Sequence, residues 1–409
     1  MPSTSRTTAT IALCCLLAGV AVPSGATDAV RESFDLQVPV APTPVAVDGR
    51  ERLVYEVHLT NFSNQPLLPL RVDVRDADSG AAIAAFSGAA LRQRLAFVAS
   101  GPGEESALPP GMRGLLYLEL DIGRDAPPRA LEHRVTYAVA GDDPGRHFDV
   151  RGAPAAVGRP AATILGPPLR GGPWAAVYGP EWERGHRRVV YAADGRATIP
   201  GRFAVDWFRL DGQGRLSPEG TGTGDARAAH GYGEQVLAVA DATVVGAHGD
   251  HPEAGADGPP QKRRLADAAG NYLVLRLDDG RHAFYEHLAP GSLRVAVGTR
   301  VRRGQVIAAL GSTGDSRRAH LHFHVADGPS TLGEGLPFAL DRFRLLGRYA
   351  DIADLGATAG IRSPRERWRC AAASCRRPIT CSLSAPTRTD VPRLVAPRPY
   401  RGRECAPAG

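Results

Sequence analysis

Three histidines stand at alternate positions in Ala319-His320-Leu321-His322-Phe323-His324-Val325. Side chains two apart on a β-strand share a face, so these imidazoles would project together while Leu321, Phe323 and Val325 pack into a core. No soluble strand needs three imidazoles in a row for stability. Neutral imidazole is the commonest protein ligand for zinc and titrates near neutral pH, which makes a metal site with acid–base chemistry the sharper reading. The competing reading is a solvated strand face that happens to carry histidine.

The surrounding sequence must supply strands to carry such a site. Glycine (47) and proline (34) are plentiful, aromatics are 6%, and short Val/Leu/Ala-rich runs recur between turn residues. That composition predicts an all-β chain of short strands and turns rather than long helices. At 409 residues there is room for two or three cores. Phe34–Val38, Leu53–Leu59, Leu70–Val74, Leu115–Leu120 and Val135–Val139 read as strands, and residues 27–150 are expected to form an antiparallel, immunoglobulin-like β-sandwich. His58, His133 and His147 within it are scattered, which fits structural roles. Residues 151–173, rich in Pro and Gly, read as an irregular linker. Residues 174–348 form a second β-rich domain, with strands at Phe203–Trp207, Val236–Ala240, Thr243–Ala247, Tyr272–Leu277, Ala283–Leu288 and Val306–Leu310. The stretches Gly212–Gly224 and Gly249–Pro260 are loops long enough to wall a groove.

The ends read differently. Arg6, the apolar run Ile11–Val22 and the small residues Ser24-Gly25-Ala26 form an export signal over residues 1–26. The run is too short to span a bilayer, and no convincing lipid-attachment box surrounds Cys14 or Cys15, so no stable membrane insertion is expected after signal removal. Residues 349–409 form an Arg/Pro-rich tail of low structure, carrying Cys370, Cys375, Cys381 and Cys405; two disulfides there allow three pairings. The net charge of +6 is misleading, because residues 361–409 supply +8 and leave the rest at −2. The body is therefore no basic nucleic-acid-binding surface. Arginine abundance is weak evidence in any case, since Lys262 is the single lysine of the chain.

Four segments agree in order and approximate spacing with one family: Phe203-Ala204-Val205-Asp206, the run Val236–Val244, Tyr285-Glu286-His287-Leu288 and His320-Leu321-His322-Phe323. Over roughly residues 200–330 the chain resembles the lysostaphin/LytM-type zinc peptidases, which cut peptide cross-bridges of bacterial cell walls. The resemblance implies a LytM-like β-sheet of barrel-sandwich hybrid type and a Zn2+ cofactor. It implies Asp206 and His322 as zinc ligands, His287 and His320 as catalytic imidazoles, and peptidoglycan peptides as substrate. His324 stands where many relatives carry glutamate, which suggests a role behind the ligands or facing the substrate rather than ligation. One position departs from the pattern. A ligand histidine is usual four residues before the aspartate, and here that residue is Arg202, which stays protonated and has no lone pair to offer. His186 in Gly185-His186-Arg187-Arg188 is the best substitute, because the chain also resembles a variant branch with a His-Arg-Arg segment ahead of an Arg-Phe-Ala-x-Asp strand. His230 and His324 are the alternatives, and His248, His251 and His282 read as surface histidines.

The expected function is an exported, periplasmic or extracellular zinc metalloendopeptidase using a metal-activated water. The alternative is a zinc-free LytM-like module that binds the wall or regulates an amidase. A third class fails: Gly298–Ile307 resembles the hairpins of lipoyl or biotinyl carrier domains, but Lys262 lies in a basic loop without such a hairpin.

Overall fold

The computed structural model describes residues 31–47, 50–98, 107–123, 127–158, 162–180, 182, 185–221, 225–253, 265–349, 351–356 and 377–378. The expected export signal and all four tail cysteines lie outside the described residues. Among the described residues no helix is long and apolar enough to cross a membrane.

The N-terminal part consists of two antiparallel sheets packed face to face. One runs Phe34–Gln37, Arg50–Asn61, Arg113–Gly123, Leu95–Phe97; the other runs Ala82–Ser87, Leu67–Asp76, Ala130–Val139, Phe148–Ala156. Period-two alternation builds the core between them: Leu53, Tyr55, Val57 and Leu59 face Leu131, Val135, Tyr137 and Val139. A polar pair within it is internally satisfied, with the Tyr55 hydroxyl 2.8 Å from His133 Nε2. His133 Nδ1 donates to the Ala153 carbonyl at 2.8 Å, so Nε2 must accept from the hydroxyl. The assignment to the immunoglobulin type remains a proposal resting on the sequence.

The opposite face of Arg50–Asn61 is not solvated. Val54, Glu56 and His58 are all buried, as are Leu115 and Tyr117 on the neighbouring strand. Leu115 and Tyr117 cluster with Ile199 of the second β-rich part, so that part covers this face. Reading Leu53–Leu59 as a simple in–out strand misses this second burial.

The second part is organised on an eight-stranded sheet in the order Trp174–Val177, Val205–Arg209, Leu321–Ala326, His282–Leu288, Asn271–Leu277, Ala242–His248, Arg300–Val301, with Gly335–Leu336 paired beside Leu321–Ala326. A two-stranded sheet, Gln235–Leu237 with Val306–Ala309, closes over it. Leu321, Phe323 and Val325 pack between the two with Val205, Ala283, Tyr285, Val236 and Ile307. The buried Tyr285 hydroxyl accepts from the Val239 backbone N–H at 2.9 Å.

Two expectations are corrected. The segment 151–173 is not an irregular linker, since Phe148–Ala156 completes a sandwich sheet and Thr163–Leu165 pairs in parallel with Phe338–Leu340. Arg377–Pro378 adds a further antiparallel rung to Phe338–Leu340. His282 is also buried rather than at the surface.

The buried histidines of the sandwich make its stability depend on pH. His58 is pushed down to about 4, first by burial and then by the Arg113 charge. His133 is lowered too, chiefly by burial. Because both folded-state values lie below the ordinary value of about 6.5, the unfolded chain takes up protons first. Stability is whole above about pH 6.5 and falls as the pH drops toward about 4, by up to about 3 kcal/mol from His58 alone. Denaturant titrations at about pH 7 and about pH 4.5 should show this loss; coincident midpoints would contradict it.

Candidate metal centre and active site

Register brings the site together. Val205–Arg209 pairs antiparallel with Leu321–Ala326 so that Asp206 lies opposite His322, and His282–Leu288 flanks the other side with Glu286 opposite His322. Directly opposite residues share a face, so Asp206, His322 and Glu286 form one row across three strands. His186 approaches from outside the sheet, on the single 3-10 turn His186–Arg188. Its Nε2 lies 3.0 Å from Asp206 Oδ1, and His322 Nδ1 lies 3.0 Å from the same oxygen. One ligand atom each from His186, Asp206 and His322 falls within 4.8 Å of the others. His320 reaches the second carboxylate oxygen, with Nε2 3.4 Å from Asp206 Oδ2. His287 completes the cluster, its ring centroid 4.7 Å from that of His320 and 5.8 Å from that of His322.

Of the alternatives to His186, His230 falls elsewhere, whereas His324 belongs to a second group with Glu286 and His322. His230 Nε2 lies 3.6 Å from Asp211 Oδ2 and belongs to no metal-competent group among the described residues. His324 stands behind His322, with Nδ1 3.2 Å from His322 Nε2 and its ring stacked on Phe284 at 4.5 Å. Arg202 turns away from the site altogether. Its Nε donates to Glu56 Oε2 at 2.9 Å, Nη1 donates to the Gly335 carbonyl at 3.2 Å, and it pairs with Glu334.

Carbonyl acceptors fix which nitrogens carry protons in the two flanking imidazoles. His287 Nδ1 donates to the Thr313 carbonyl at 2.9 Å and His320 Nδ1 to the Arg318 carbonyl at 2.8 Å. Each neutral ring is thereby left with its lone pair on Nε2. Phe208 stacks on His320 at 4.8 Å and limits its rotation.

His287 reaches the site through an unusual backbone. Strict alternation would send it to the face opposite Glu286, into the core beside Tyr285. A register shift between Asn271 and Leu273 interrupts the pairing at this end of the strand, and His287 itself adopts φ 63°. That left-handed conformation is uncommon for a side-chain-bearing residue and costs on the order of 1 kcal/mol. It is held by His287 N–H to the Ala269 carbonyl and Gly311 N–H to the His287 carbonyl, at 3.0 and 3.1 Å. Gly270 permits the close approach of the Thr313 loop, since a Cβ there would lie 2.5 Å from the Thr313 carbonyl carbon.

The electrostatics are those of a buried anion among imidazoles. Burial would raise Asp206, yet the charges of His186 and His320 and the hydrogen bonds from His186 and His322 hold it well below the usual carboxylate range. His322 is lowered by burial but raised overall by Glu286 and Asp206. Burial lowers His320, against the pull of Asp206, and drives His287 and His324 well below the ordinary histidine value. Burial also raises Glu286. Sequence reasoning gave Glu286 no role; the one available signal was its place beside His287, in a strand that had to flank the histidine strand.

Residues 224–332 match the family model of peptidase family M23. The chain carries an M23 peptidase domain. The matched segment includes Glu286, His287, His320, His322 and His324, whereas His186 and Asp206 precede it. Three similar solved structures illustrate the likeness. The catalytic domain of the antimicrobial peptidase lysostaphin from Staphylococcus simulans is 21% identical, with 40% of this chain and 88% of that one covered and a TM-score of 0.24. A protein described as a peptidase M23 from Pseudomonas aeruginosa is 14% identical over 68% of this chain and 89% of its own, with a TM-score of 0.24. A protein described as a glycyl-glycine endopeptidase LytM from Ruminococcus gnavus is 15% identical over 32% of this chain and 42% of its own, with a TM-score of 0.21. Likeness at this level carries no weight for the reaction, which must be read from the side chains of the M23 domain and of His186 and Asp206 upstream.

The turn bearing His186 packs on a glycine. A Cβ at Gly201 would meet His186 Cβ at 2.6 Å and the His186 carbonyl oxygen at 3.1 Å. Gly201→Ala is expected to push the turn outward and cost about 1–3 kcal/mol in a denaturant titration, with a shifted His186 imidazole resonance. An unmoved resonance and unchanged stability would contradict this packing.

Proposed function

We propose that the chain is an exported zinc metalloendopeptidase that hydrolyses peptide bonds in the stem or cross-bridge peptides of peptidoglycan. The observation that carries this reading is the convergence of His186 Nε2, Asp206 Oδ1 and His322 Nδ1, with His287 and His320 beside them. Two imidazoles and one carboxylate form a donor set suited to a catalytic zinc, which keeps three protein ligands and one open position. The residues also fit the ion on burial and geometry: Asp206 is nearly inaccessible, and His186 Nε2 and His322 Nδ1 both lie 3.0 Å from its Oδ1. Zinc held there would lower the pKa of a water molecule to about 7 and polarise the scissile carbonyl.

The chain's own groups provide the rest. With Nδ1 donating to Arg318, His320 offers its Nε2 lone pair to the proton of the attacking water. Asp206 Oδ2, 3.4 Å away, stabilises the resulting imidazolium until it passes the proton to the leaving amine. His287 is kept neutral by burial and by the imidazoles of His320 and His322. Its Nε2 therefore accepts a hydrogen bond from the incoming water or the departing amine. His324 supports His322: with Nδ1 of His322 used as ligand, Nε2–H donates to His324 Nδ1 at 3.2 Å and fixes the ring. Substrate class and export rest on the family resemblance and the N-terminal sequence.

Metal analysis of the purified protein should return about one zinc per chain. His322→Ala and Asp206→Ala should abolish binding, while His320→Ala keeps zinc and loses about 10²–10⁴-fold in hydrolysis of a cross-bridge peptide. A folded protein that takes no zinc would favour the wall-binding module. Parental activity in all three variants would overturn the roles assigned.

A further inference from the structure

We propose that the N-terminal sandwich is a positioning element of the metal centre, in which Glu56 and Glu119 hold Arg187 and thereby fix His186 as a ligand. This rests on the reading of His186 as a zinc ligand. Asp206 and His322 lie on strands hydrogen-bonded on both sides, so the sheet itself sets their positions. His186 has no such frame. Its three-residue turn is closed by Arg188 N–H to the Gly185 carbonyl and Val189 N–H to the His186 carbonyl, at 3.0 and 3.1 Å. An element this short does not hold itself in place.

The residue that follows supplies the anchor. Arg187 is 3% exposed, and each of its five N–H donors has an acceptor. Nε donates to Glu56 Oε1 at 2.7 Å, and Nη2 donates to the Tyr55 and Leu118 carbonyls at 2.8 and 3.2 Å. Nη1 donates to the Pro180 carbonyl at 2.8 Å and pairs with Glu119. Four of these five acceptors belong to the sandwich strands Arg50–Asn61 and Arg113–Gly123. Arg188 adds to the grip, its guanidinium 3.9 Å from the centre of the Tyr117 ring. The second oxygen of Glu56 takes Arg202 at 2.9 Å, so a single buried carboxylate ties both segments that lead into the site. A guanidinium saturated in this way cannot rotate without stranding buried polar groups, and the adjacent His186 shares its fixed backbone.

Arg187→Met and Arg202→Met, made in the full chain, each take one guanidinium from Glu56, but only Arg187 is joined to the ligand turn. Zinc affinity is read by chelator competition and stability by denaturant titration. Arg187→Met is expected to weaken zinc binding about tenfold or more, the range typical of residues that orient ligands, while Arg202→Met loses stability and stays within about threefold of the parent. Equal weakening in both, or parental affinity in Arg187→Met, overturns the positioning role and leaves the metal reading intact. A parent that binds no zinc overturns both. Should Arg187→Met fail to fold, Glu119→Gln loosens the same guanidinium while Glu56 keeps both arginines. Unchanged zinc affinity in that variant counts equally against the proposal.

Discussion

A buried carboxylate shared among imidazoles is the constraint from which the rest of the site follows. Asp206 is almost wholly removed from water, and an isolated ionised group in that position would be strongly destabilising. His186 and His322 meet one of its oxygens and His320 the other. Neutral imidazoles cannot cancel the charge, and burial opposes protonating several rings a few ångströms apart. A divalent cation held by His186, Asp206 and His322, as proposed, would resolve the conflict: it would offset the carboxylate charge and leave His320 and His287 neutral with Nε2 available.

The geometry is exact where the sheet provides it and borrowed where the sheet does not. Asp206, His322 and Glu286 come from direct cross-strand pairing, which fixes their separation independently of any loop. His287 needs a break in the pairing and a left-handed residue. His186 needs neighbours from another part of the chain. The strand Arg50–Asn61 therefore serves two contacts at once, its odd residues inside the sandwich and Glu56 on its other face against the segments of Arg187 and Arg202. Arg202, at the position where the family resemblance led a ligand to be expected, belongs to that contact and not to the cluster around Asp206.

Much of this was legible in the sequence. Alternation in His320–Val325 separated site face from core face, because a strand's period of two allows no other arrangement. Arg202 could be struck from the ligand set on chemistry alone, since a guanidinium has no lone pair. The gathering of His186 with Asp206 and His322, over His230, depends on tertiary packing that no local pattern encodes. The strand pattern of Leu53–Leu59 assigns Glu56 no role, and only its arginine partners, distant in sequence, explain its burial. Glu286 and the bend at His287 were hidden for the same reason: period-two reasoning puts adjacent residues on opposite faces, and a register shift is invisible until both strands are paired. The Pro/Gly content of 151–173 suggested irregular chain, yet parallel pairing of Thr163–Leu165 with Phe338–Leu340 overrides it.

One competing arrangement lies within the same cluster, because Glu286, His322 and His324 also bring ligand atoms within 4.8 Å of one another. The decisive measurement is an anomalous-scattering map at the zinc edge from crystals of the zinc-loaded full chain. The account predicts one peak about 2.0–2.2 Å from His186 Nε2, Asp206 Oδ1 and His322 Nδ1. A peak among Glu286, His322 and His324, or on the tail cysteines with none beside Asp206, would contradict it.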